Sequence, residues 1–160
     1  MDDCSIQWDS LIRTELTGRR QPNWLQQDDI LFLIRGSRNI AVFLEDVPFN
    51  CVISPHFLLL RTKPDAKILP AFAAWQMNQI PAQRYFGISA EGSAQRSIRK
   101  GVLSDLPIVI PSMAEQKAVI NLALAARKEA AIYSKLIANR EQEIRSVASR
   151  ILNTNKDFKR

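Results

Sequence analysis

Five consecutive apolar residues, Ile30-Leu31-Phe32-Leu33-Ile34, stand between the acids Asp28-Asp29 and the Arg35-Gly36 turn. An unbroken β-prone run closed by turn residues predicts a strand buried on both faces, since a strand with one wet face would alternate. Residues 40–44 predict a second strand, opened by the polar Ser37-Arg38-Asn39 turn. Residues 51–53, ahead of Pro55, predict a short third, and residues 57–60, closed by Arg61-Thr62-Lys63-Pro64, a fourth. Strand signals this close together predict a compact sheet with turns of ordinary length.

The texture changes at Leu69. Residues 70–79 predict a helix with Pro70 in its first turn and Phe72, Trp75 and Met77 as bulky apolar positions. Pro81 interrupts it, and a second helical piece runs to Phe86. Residues 87–92 are expected as a loop. Residues 93–100 are polar and basic around one apolar anchor, Ile98. Leu106-Pro107-Ile108-Val109-Ile110-Pro111 predicts a short edge or closing strand bounded by prolines. Trp24 and Trp75 are expected to pack in the core or against a helix.

From Met113 to Leu152 there is neither proline nor glycine, and good helix formers dominate. Ser112 with Glu115 three residues on forms the pattern of a capping box. A helix of ~40 residues reaches ~60 Å at 1.5 Å per residue. Val119, Ala123, Ala126, Ala130, Tyr133, Ile137, Arg140, Ile144, Val147 and Ile151 follow alternating steps of three and four, with only Arg140 polar. That spacing keeps a narrow stripe facing a partner helix, as in a coiled coil. The pattern predicts an α+β chain: a small mixed β-sheet domain with short helices over residues 1–111, one long C-terminal coiled-coil-type helix over 112–153, and a basic tail over 154–160.

Composition narrows the function. The chain carries 22 Lys and Arg against 16 Asp and Glu, a net charge of +6, which suits a polyanionic partner. Two distant cysteines, Cys4 and Cys51, and a single histidine, His56, give neither a disulfide scaffold nor a zinc ligand set. The glycines at 87, 92 and 101 have the spacing of neither a P-loop nor a dinucleotide site. No nucleophile–base pair stands out, so catalysis and a metal or other cofactor are not expected. The acidic opening MDDCSIQWDS is not a signal-peptide pattern, and no apolar run approaches the ~18 residues of a membrane span. A cytoplasmic protein without a membrane partner is the expectation.

The basic residues cluster in two loops. Arg35, Arg38 and Asn39 flank the turn after the first buried strand, and Gln95, Arg96, Arg99 and Lys100 lie in the second, with hydroxyls at Ser93 and Ser97. Arg and Lys suit phosphates, Arg also pairs with guanine, and Asn or Gln pairs with adenine. These seven residues are the candidate DNA contacts. Aromatic residues are not interleaved with them, which argues against single-strand stacking. Tyr133, Ile137, Ile144, Val147 and Ile151 are the candidate helix interface.

Three segments together resemble the DNA-specificity subunit of type I restriction-modification systems. Residues 25–39 are similar to that family's "GDIL…RG" strand and turn, with Asp28 where the family often has Gly. Pro70-Ala71-Phe72-Ala73-Ala74-Trp75, following Leu60-Arg61, is similar to its helix after the "LR" strand. Residues 98–116, ending Pro111-Ser112-Met113-Ala114-Glu115-Gln116, resemble the "ipiP…EQ" passage into its long helix. The resemblance implies a non-catalytic target-recognition domain that reads one half of a split site in duplex DNA. It also implies a helix that pairs in an antiparallel coiled coil and docks a methyltransferase subunit, the S-adenosylmethionine being held by that partner. A full subunit has two such domains and two helices. One of each implies a half-length form working as a homodimer through the C-terminal helix. The alternative expectation is a truncated interaction module that no longer reads DNA and assembles through the long helix.

Overall fold

The computed structural model describes residues 6–15, 21–36, 38–89 and 97–154. It is an α+β arrangement: a three-stranded antiparallel sheet, short helices, and a long C-terminal helix. Strand β1 (Ile30–Leu33) is central, with β2 (Ala41–Phe43) on one side and β3 (Phe57–Leu60) on the other. The helices are α1 (Pro70–Met77), α2 (Ile80–Ser89), α3 (Lys100–Ser104) and α4 (Met113–Thr154).

The double burial expected of the first strand is present. Ile30 and Phe32 face the helices, where they join Ala73, Met77, Phe86 and Ile98. Leu31 faces the other way, into a smaller cluster with Leu25 and Leu44 that Trp8, Val42 and Leu59 cover. Period-two side-chain alternation divides one apolar run between two cores. The rings of Phe32 and Phe86 lie 5.0 Å apart. Trp24, expected to be packed, is 37% exposed instead. Its neighbour Leu25 takes the buried place, held by a bond from its N–H to the Cys51 carbonyl at 2.9 Å.

Side-chain amides complete the backbone pairing that so small a sheet leaves open. Pro81 cannot donate to the Met77 carbonyl, so Gln83 Nε2 does so, at 2.8 Å. The segment expected as a strand over 106–111 joins no sheet. Prolines at 107 and 111 remove donors, and Val109 is satisfied by Gln76, which accepts its N–H at 2.7 Å and donates to its carbonyl at 3.0 Å. Residues 51–53 are likewise no strand: the one backbone bond there, to Leu25, starts no ladder. Gly87, expected in a loop, lies inside α2, which continues because Phe86 is buried and the Tyr85 hydroxyl donates to the Val102 carbonyl at 3.0 Å. The short helix α3 was not legible as a helix, having a glycine and few residues.

Helix α4 opens on the expected capping box. The Glu115 carboxylate accepts the Ser112 N–H at 2.9 Å and its hydroxyl at 2.6 Å, and Glu115 N–H donates back to Ser112 Oγ at 3.3 Å. One turn in, the fully buried Gln116 side chain accepts the Leu69 N–H at 2.8 Å and donates to the carbonyls of Lys67 and Pro111, each at 2.9 Å. The chain divides into two compact units, residues 1–120 and 121–160, so the start of α4 belongs to the first. Among the described residues, no helix is long and apolar enough to cross a membrane.

Candidate nucleic-acid interface

The two basic loops are far apart in sequence and adjacent in space. Leaving β1, the chain at Arg35 forms an antiparallel bridge with Ser97, and Ile98 N–H donates to the Ile34 carbonyl at 3.0 Å. Ile98, almost wholly buried in the main core, anchors the second loop against the first. An antiparallel bridge directs the two opposed side chains to the same face, so Arg35 and Ser97 share one surface. Arg35, Arg38, Arg99 and Lys100 are all exposed. Arg99 is the residue that precedes α3, and Lys100 is its first.

Gly36 makes the first loop possible. Its φ of +153° is a backbone conformation that L side chains rarely adopt, and a Cβ there would lie 3.4 Å from Leu33 Cδ2. The chain can therefore turn directly after Arg35 and return as β2.

Asn39, expected among the base-reading residues, is instead a structural part of this turn. It is 7% exposed, its Nδ2 donates to the Leu33 carbonyl at 3.1 Å, and its own carbonyl accepts from Gln83 Nε2 at 2.8 Å. The donor that would have met a base is spent on the turn it stabilises. Gln95 and Arg96 lie outside the described residues. Of the seven expected contacts, Arg35, Arg38, Arg99 and Lys100 are exposed cations, and the bridge joins the segment of Arg35 to the one that leads into Arg99 and Lys100.

Sequence reasoning missed Arg61, which it treated only as the end of a strand. Its guanidinium is held above its ordinary range by the hydrogen bond to Asp29. The available signal was an acid directly before one apolar run and a base directly after another. The Cys51 thiol is pushed up by burial, which opposes thiolate chemistry. Among the described residues, no three His, Cys, Asp or Glu side chains come together as a metal site.

Within the second unit, the stripe along α4 is open to solvent. Tyr133, Ile137, Ile144, Val147 and Ile151 are each 51% to 62% exposed, and Leu122 and Leu136 are exposed beside them. Arg140, the one charge in the stripe, donates to Glu143 at 2.6 Å within the same helix. An apolar stripe on a helix this long is stable in water chiefly when something covers it. No model of a known protein family matches this chain, and no curated protein matches it.

Proposed function

We propose that this chain is the DNA-specificity subunit of a type I restriction-modification-like system. In this reading the first unit rests on duplex DNA through Arg35, Arg38, Arg99 and Lys100, with Gln95 and Arg96 as further contacts. Helix α4 joins two copies and docks a methyltransferase subunit, which carries S-adenosylmethionine. The chain itself is non-catalytic and works in the cytoplasm.

The observation that supports the reading is the Arg35–Ser97 bridge, which pairs the segment that carries Arg35 with the distant one that leads into Arg99 and Lys100. Clustered Arg and Lys side chains neutralise successive phosphates and release counterions, so affinity falls steeply with salt. The test is duplex binding across ionic strength, followed by fluorescence anisotropy. A steep linear fall of log affinity with log salt is expected. Affinity that is flat between low and moderate salt would sink the proposal.

One observation favours a second reading, an interaction module that does not read sequence. Asn39, suited to adenine, is occupied inside the protein. In that case α4 still assembles with its partner, but duplex affinity is weak and indifferent to base sequence. Competition between random and selected duplexes separates the two.

A further inference from the structure

The two edges of the sheet are finished differently. Ile34 N–H donates to the His56 carbonyl and Leu33 N–H to the Ile40 carbonyl. With the strand registers, this leaves Ala41 of β2 and Leu59 of β3 with their backbone groups pointing away from β1. Asn78 closes the β2 edge: its Oδ1 accepts the Ala41 N–H at 2.9 Å and its Nδ2 donates to the Ala41 carbonyl at 2.7 Å. Among the described residues nothing does the same for Leu59. A sheet edge with a free N–H and C=O is a template for a further strand.

Beside that edge lies a cavity of about 230 Å³. Ile30, Leu58, Leu60, Ala73, Met77 and Leu103 make it apolar. Arg61 and Lys100 also line it, and no acidic residue does. Asp29 and the Trp24 carbonyl take Arg61 Nε and Nη2, and among the described residues nothing is bonded to Nη1. An open edge strand beside an apolar groove is how an extended peptide is added to a sheet: the backbone supplies affinity, and pockets take alternate side chains. Lys100 supplies a net positive charge that favours acidic flanks, and Arg61, whose charge Asp29 balances, offers a further donor. A duplex would gain nothing from the Leu59 backbone, which has no partner among the described residues, or from an apolar floor.

We propose that the groove between β3 and α3 binds an extended acidic peptide segment of a partner protein. Its backbone pairs with Leu59, one apolar side chain enters the cavity, and neighbouring carboxylates meet Arg61 and Lys100. The proposal shares Lys100 with the DNA reading and makes no use of Arg35, Arg38 or Arg99.

The test uses the full chain and a short fluorescein-labelled peptide that alternates Leu or Val with Asp or Glu. Saturable binding by anisotropy is expected. N-methylating alternate peptide amides weakens it by about tenfold or more, as loss of backbone pairing should. Ser104→Phe, at the exposed rim of the groove, blocks the peptide while duplex affinity stays unchanged, so failure here is distinguishable from failure of the DNA reading. Affinity indifferent to N-methylation, or equal for a peptide with Lys in place of its acids, would overturn the proposal. So would full peptide affinity in Ser104→Phe, which would put the peptide somewhere other than this groove.

Discussion

Arg61 grips the carboxylate of Asp29 with two bonds, Nε to Oδ1 at 2.6 Å and Nη2 to Oδ2 at 2.8 Å. The two residues are the next cross-strand pair after Ile30 and Leu60, one preceding β1 and the other following β3. Asp29 is fully buried, and its Oδ2 also accepts the Gln26 N–H at 2.8 Å. Arg61→Ala strands that carboxylate in the interior. The expected cost is about 3 kcal/mol, the lower end for breaking a buried pair, because water reaches the Arg61 side. Urea unfolding measures it, and the double variant Asp29→Leu with Arg61→Leu should recover most of the loss. A cost below about 0.5 kcal/mol for Arg61→Ala, the scale of a surface change, would show that the pair is not structural.

Asp28 sits at φ +67°, the left-handed region that disfavours most L residues. Asp28→Gly removes that strain and should stabilise the protein by about 0.5–1 kcal/mol, seen as a higher midpoint at unchanged urea slope.

For duplex DNA, Arg35→Ala, Arg99→Ala and Lys100→Ala should each reduce the slope of log affinity against log salt by about 0.9, one phosphate contact apiece. Asn39→Ala should instead lower stability through its lost bond to Leu33 and leave that slope alone. A reversed outcome, with Asn39 governing base preference, would contradict its buried position.

Along α4, Ile137→Asp or Ile144→Asp should abolish self-association in sedimentation runs, because a carboxylate cannot be buried in the seam without a partner. Arg140→Leu should strengthen association by about tenfold or more, since it replaces the seam's one charge with a side chain worth about 1.5–3 kcal/mol on burial. Association unchanged by all three would mean that the stripe meets something other than a second copy.

The capping box gives a pH dependence of known sign. Bonds from the Ser112 hydroxyl and N–H hold Glu115 below its ordinary value of 4.5. A depressed carboxylate contributes stability that is present above that value and is lost as pH falls through the lower folded one. The difference in helicity or stability between wild type and Glu115→Gln should therefore be constant at neutral pH. It should shrink as the solution is acidified below 4.5, as followed by circular dichroism.

Local pattern determined a good deal of this protein. The apolar run at Ile30 specified a doubly buried central strand, and the absence of proline and glycine with Ser112 and Glu115 specified α4 and its start. These are properties of neighbouring residues: side-chain period, helix propensity and end-capping act over one or two turns. Tertiary structure decided the rest, because it depends on which distant backbone groups find partners. Gln76 satisfies Val109 of the proline-bounded segment, which joins no sheet. Asn39 became part of a turn, where spacing had suggested a base contact. Only the fold opposed Asp29 to Arg61, set Arg35 beside Ser97, and closed Ala41 with Asn78 while giving Leu59 no such partner among the described residues. Buried polar groups must be satisfied, and the partner that satisfies each one is chosen by proximity in space, which linear order does not record.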